Sequence, residues 1–191
     1  MCIRDSGHAV EDLRYGFLAK HLNAYEKYAL GWLRSTEVTE LRLDTVVPGG
    51  LQVRLAPISS PAISANSRRA VILHDQRYGE NVLYTIEARD NAGVGYYDEA
   101  LPATAVIVHQ VDLSREEPAW ILYDTSTRQQ PPTYSATEDD IWRVGETIEL
   151  PGASIAVRGR TREGFTLVID CLLYTSPSPR DLSTSRMPSS A

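Results

Sequence analysis

Four histidines and one charged strand are the residues here whose types suit chemistry. His8, His21, His74 and His109 are imidazoles able to hold a metal or move a proton. A helical zinc site of the H-E-x-x-H kind sets two histidines one turn apart, with a general-base Glu beside the first. None of the four has that spacing, and the sequence contains no H-E-x-x-H. His8 reads as a surface loop residue. His109 falls on an apolar strand, on the face of Ala105, Ile107 and Val111, and reads as a hydrogen-bonded core or rim residue.

Glu87 and Arg89 stand two apart on a strand and so point to one face. Asp98 joins them if the loop after the strand folds back. Three readings stay open: an ion pair pinning that loop, a contact to a neighbouring domain, or a structural calcium site with oxygens from Asp90, Asn91, Asp98 and Glu99. The spacing of those oxygens is no known calcium loop. Trp120, Tyr123, Tyr134 and Trp142 are either scattered core aromatics or a sugar-stacking face. Glu138-Asp139-Asp140 reads as a solvated loop. There is no glycine-rich phosphate loop and no G-x-S-x-G elbow.

The elements that position these residues follow from periodicity. In His21–Leu33 the apolar residues Leu22, Tyr25, Ala29, Trp32 and Leu33 share one helical face. Asn23 caps the start, Glu26 completes a capping box, and Gly31 marks the exit. Beyond the helix the period becomes two. Thr39–Leu43 and Leu51–Leu55 alternate around Pro48-Gly49-Gly50 and predict a β-hairpin. Ser59–Arg69 reads as a loop. Further strands are predicted at 70–74, 82–89, 105–111, 119–124, 144–150, 153–158 and 165–170, with a polar excursion over 125–140. The predicted fold is mainly β: one amphipathic helix, then an antiparallel β-sandwich of roughly eight or nine short strands.

Two segments carry a resemblance. Asn23-Ala24, Lys27 and Leu30-Gly31-Trp32-Leu33 resemble the NA-x-x-K-x-x-LGW helix of gametolysin-like and immune-inhibitor-A-like zinc metallopeptidases, a metzincin group. Tyr84-Thr85-Ile86-Glu87-Ala88-Arg89 resembles that family's Y-x-(hydrophobic)-E-x-R strand, and Asp98, Leu101-Pro102 and Val106–Asp112 follow in family order. The resemblance covers about residues 16 to 170. It implies that the helix closes a catalytic domain and hands the chain to a β-rich one. It further implies a secreted hydrolase that cuts protein or peptide substrates with zinc. The family's zinc histidines and catalytic Glu correspond to no residue here, and its Met-turn has no methionine between Gly7 and Asp170. The chain is therefore expected to be a non-catalytic carboxy-terminal fragment with no catalytic, cofactor or metal residues of its own. A stand-alone β-sandwich module for glycans or surface proteins is the alternative.

The two ends read differently from the middle. Residues 1–6 and the tail 171–191 resemble translated adapter read-through of the kind met in metagenomic assemblies. The tail is rich in Ser, Pro, Thr and Arg and is expected to be disordered. That leaves 7–35 as the remnant of a catalytic domain and 36–170 as the sandwich. Cys2 and Cys171 both fall in the ends, so the segment Gly7 to Asp170 has no cysteine for a disulfide or a cysteine–metal site. Removing Arg4, Arg180 and Arg186 from the 19 basic residues leaves 16, and removing Asp5 and Asp181 from the 25 acidic ones leaves 23, a net charge of −7. That balance argues against nucleic acid as a partner. No apolar run approaches the ~20 residues of a membrane span. An extracellular location rests on the resemblance alone.

Overall fold

Strand alternation over 82–89 sets the architecture, because both of its faces become buried. The computed structural model describes residues 22–43, 49–92, 98, 101–122 and 141–171. Within them lie helix α1 (Ala24–Ala29) and ten strands. The strands are β1 (Val38–Arg42), β2 (Leu51–Leu55), β3 (Ser67–Arg68), β4 (Ala70–His74), β5 (Val82–Arg89), β6 (Ala105–Asp112), β7 (Ala119–Ile121), β8 (Thr147–Leu150), β9 (Ala153–Thr161) and β10 (Gly164–Cys171). They form two five-stranded sheets, ordered β1-β4-β5-β6-β7 and β3-β2-β10-β9-β8. The expected mainly β, sandwich-like fold is what the chain forms. Most neighbours are antiparallel, but β1–β4 and β2–β3 are parallel, so both sheets are mixed.

The core between the sheets is the apolar half of each alternation. Val71, Leu73, Tyr84, Ile86, Ala88, Val106 and Val108 face Val53, Leu55, Ile148, Ile155, Val157, Phe165, Leu167 and Ile169. Each fully buried Leu, Ile or Phe contributes about 1.5–3 kcal/mol. The first sheet is covered on its other face too. There Ala24 packs with Ile58 and Ala70, and Tyr25, Tyr28 and Leu33 pack against Val38, Ile72, Leu83, Val111 and Ala119. Two-sided burial explains why β4 reads Ala-Val-Ile-Leu without alternation.

The predicted hairpin of 39–43 with 51–55 does not form. β1 pairs with β4 in the first sheet, and β2 pairs with β10 and β3 in the second. Alternation says which face is buried, not which strand is the neighbour. The Pro-Gly-Gly region thus carries the chain between sheets. Gly50 (φ +78°) lies against Asp170, leaving no room for a Cβ.

The helix is shorter than predicted, six residues rather than thirteen, but its ends are as read. Glu26 N donates to Asn23 Oδ1 at 2.9 Å and Asn23 N donates to Glu26 Oε2 at 3.2 Å. Gly31 (φ +70°) ends it: Trp32 N donates to Lys27 O and Gly31 N to Tyr28 O, a Schellman closure. Strand β10 reaches Cys171, one residue into the segment read as an artefact-like tail. Residues 172–191, 1–6 and His21 lie outside the described residues.

Candidate functional site

The polar residues of interest collect on the helix-covered face of the first sheet. β5 presents Thr85, Glu87 and Arg89 there, all buried. Its register sets Thr85 opposite His109 and Glu87 opposite Ile107 of β6. Arg89 Nε donates to Glu87 Oε1 at 2.8 Å, and Arg89 Nη1 donates to Asp98 Oδ1 at 2.8 Å. Asp98 is 1% exposed and takes φ +69°, a left-handed turn that Asp tolerates better than most side chains. Asp98 thus meets the strand through Arg89, which is the ion-pair arrangement among the readings.

α1 completes this cluster. Its Lys27 has an amine pKa lowered first by burial and then by the Arg89 charge, with Glu87 and Asp98 opposing the shift. The Arg89 and Arg69 charges act against the Lys27 proton and those of Glu87 and Asp98 favour it, so charges of both signs lie beneath the helix. Such a group costs desolvation and stays put only while every member is present. Its chemistry is therefore positional: it pins a helix and a loop to a sheet. Lys27 was missed as a member, although its spacing from Ala24 already put it on the buried helical face.

A second clamp holds the chain leaving the helix. Glu37 accepts from Arg34 N at 3.0 Å, Arg34 Nη2 at 3.1 Å and Arg69 Nε at 3.0 Å. These donors, Arg34 first, hold the Glu37 carboxyl at about 2 against burial, which acts the other way. A third joins the two sheets. Asp75, buried at the end of β4, accepts from Arg77 Nε at 2.8 Å, and Arg77 Nη2 also reaches Pro151 O beside β8. Arg34–Glu37 and Asp75–Arg77 are near neighbours in sequence, whereas the reach of Arg69 to Glu37 and of Arg77 to Pro151 has no sequence signal.

Of the oxygens proposed for calcium, Asp90 Oδ1 and Asn91 Oδ1 both meet the Thr104 hydroxyl, each at 2.7 Å. Asp90 Oδ1 also accepts from Ala92 N at 3.2 Å, while Asp98 serves Arg89. Glu99 lies outside the described residues. The histidines do not converge either. His74, at the end of β4, has Nε2 3.7 Å from Glu40 Oε2 and lines a depression of about 760 Å³ with Arg42, Gln76 and Glu80. His109 is buried in the middle of the sheet. His8 and His21 lie outside the described residues. Among the described residues, no group of three or more His, Cys, Asp or Glu side chains is arranged to hold a metal.

The aromatic quartet is not one surface. Trp142 is core, bridged to Val106, whereas Trp120 is exposed with Arg115 stacked 4.5 Å from its ring centroid. Tyr123 and Tyr134 lie outside the described residues, as does Glu138-Asp139-Asp140.

The fold and this pinned face define a mainly β, sandwich-like protein with a short helix seated on one sheet. Comparison of the chain with family models, with curated proteins and with solved structures gives no match. Among the described residues, no helix is long and apolar enough to cross a membrane.

Proposed function

We propose that this chain is the non-catalytic carboxy-terminal part of a secreted zinc metalloendopeptidase of the gametolysin-like, immune-inhibitor-A-like group, which hydrolyses peptide bonds in its full-length form. One observation carries this reading: the two segments bearing the resemblance pack on each other. Lys27 of the NA-x-x-K helix stands within the electrostatic reach of Glu87, Arg89 and Asp98, the charged residues of the Y-x-x-E-x-R strand and its following loop. A helix that hands a catalytic domain to a β domain needs such a root.

The opposite side of the helix end supports the same reading. Leu30 and Trp32 are 55% and 61% exposed, an apolar edge suited to a neighbouring domain. In this view zinc and its ligands belong to that neighbour, where the metal activates water for peptide hydrolysis. Protein or peptide substrate reaches the assembly through the neighbour, and the sandwich serves as its support.

The test is casein hydrolysis by two polypeptides, the present chain alone and the longer product of its parent gene. The reading expects chelator-sensitive turnover from the longer product only. Chelator-sensitive turnover by the present chain, or none by the longer product, overturns it.

A further inference from the structure

Two sets stand out among the arginines of the described residues. Arg34, Arg69, Arg77, Arg89 and Arg115 each lie within ion-pair distance of a carboxylate. Arg54, Arg158, Arg160 and Arg162 have no carboxylate partner among the described residues, and all four sit at one end of the second sheet. In a chain of formal net charge −6, an end of a sheet that gathers guanidinium groups with no carboxylate partner among the described residues calls for a physical reason.

The register shows how they gather. Arg54 of β2 pairs across from Thr166 of β10, and Thr166 pairs across from Gly159 of β9. The ladder slips between Thr166 and Leu167, so Arg158 is an extra residue on β9, a bulge that aims an exposed side chain outward. Arg160 and Arg162 follow on the β9–β10 hairpin, whose tip is exposed. Gly164 (φ +133°) lies against Leu55 O, and this close approach seats the hairpin on β2.

Between the hairpin and β2 is a groove of about 430 Å³ lined by Arg54, Arg162, Gln52, Thr161, Thr166 and Glu163. Its apolar members, Leu55 and Phe165, are only 1% and 3% exposed, so they offer no anchor to a peptide side chain. What the groove presents is cations, hydroxyls and an amide. Planar guanidinium forks take sulfate and carboxylate oxygens two at a time, and hydroxyl and amide groups bond to sugar hydroxyls.

We propose that this groove binds an acidic polysaccharide, a chain of sulfated or uronic-acid sugars, with Arg54 and Arg162 gripping its anionic groups and Arg158, exposed at the bulge, extending the track; Arg160 instead lies over the Phe165 ring. Glu163 sets selectivity at the hairpin tip by repelling an anion placed there. The groove is remote in the fold from the helix-covered face, so it stands whether or not a catalytic domain precedes the helix.

The test is calorimetric titration of the full chain with a heparin hexasaccharide, an uncharged cellulose hexasaccharide, a hexameric glutamate peptide and a single-stranded hexanucleotide. Binding of the heparin probe that weakens with added salt is expected, with weaker or no binding of the other three. The double variant R54A/R162A is expected to lose at least about ten-fold in affinity, the size of one lost charged hydrogen-bond set. The control variant R115A, altered between β6 and β7 of the other sheet, is expected to bind like the parent, and thermal melts of both variants report that the fold is kept. No heparin binding, equal binding of the peptide or oligonucleotide, or a well-folded R54A/R162A with unchanged affinity overturns the proposal.

Discussion

Arg89 Nη1 lies 2.8 Å from Asp98 Oδ1, across nine residues of sequence, with both side chains buried. The same guanidinium holds Glu87 at 2.8 Å, so one cation serves two carboxylates under the helix. Removing that cation leaves two buried anions facing a single lysine. The variant R89A is expected to lose about 3–5 kcal/mol of unfolding free energy in urea, the usual cost of breaking a buried ionic group from one side. R162A, at an exposed hairpin, is expected to change it by under ~0.5 kcal/mol. Equal losses would remove the pinning role assigned to Arg89.

Acid should loosen the chain through Glu37. Its folded carboxyl is held at about 2, below its ordinary value of 4.5, so the proton binds the unfolded chain more readily. The stability it contributes is complete above the ordinary value and drains away as pH falls towards the folded one. The Asp75 carboxyl, lowered mainly by Arg77, acts in the same direction. Thermal melts of the variant E37Q should show a flatter decline than the parent from pH 5 to 2, with a lower melting temperature at pH 7. A parent-like acid limb in E37Q would assign acid sensitivity elsewhere.

The helix depends on its ends because six residues are too few to hold themselves. N23A removes the cap and is expected to cost about 1 kcal/mol. G31A forces an alanine to φ +70° and is expected to cost about 1–2 kcal/mol. Chemical denaturation checks both, and a neutral G31A would show that the Schellman closure is dispensable.

The apolar edge of the helix should make the isolated chain sticky. A helical face of Tyr25, Trp32 and Leu33 would be bare if nothing covered it. Tyr25 and Leu33 instead pack on the sheet, while Leu30 joins Trp32 in solvent. The double variant L30S/W32S is expected to lower light scattering and hydrophobic-dye binding relative to the parent at equal concentration. No change would place the sticky surface elsewhere.

Much of the fold was legible because alternation and caps are local. Strand β5 begins and ends where its pattern does, and Asn23, Glu26 and Gly31 perform the roles their spacing implies. Strand partners were not legible: β1 and β2 look like a hairpin in sequence, yet they belong to different sheets. Nor was two-sided burial of the first sheet, which depends on where the helix lands. The charged cluster was half visible. Glu87 and Arg89 share a face by strand geometry alone, whereas the addition of Lys27 required the helix to settle on β5. The groove at Arg54 and Arg162 escaped notice because its residues lie far apart in sequence and meet only through the β2–β10 register.

The central claim is that this helix and sandwich serve a zinc peptidase whose metal is held by another domain. Sequencing the parent gene upstream of the codon for Gly7 tests it most directly. The account predicts an in-frame H-E-x-x-H-x-x-G-x-x-H followed by a methionine turn. A native start codon close to Gly7, with no such histidines before it, would contradict it.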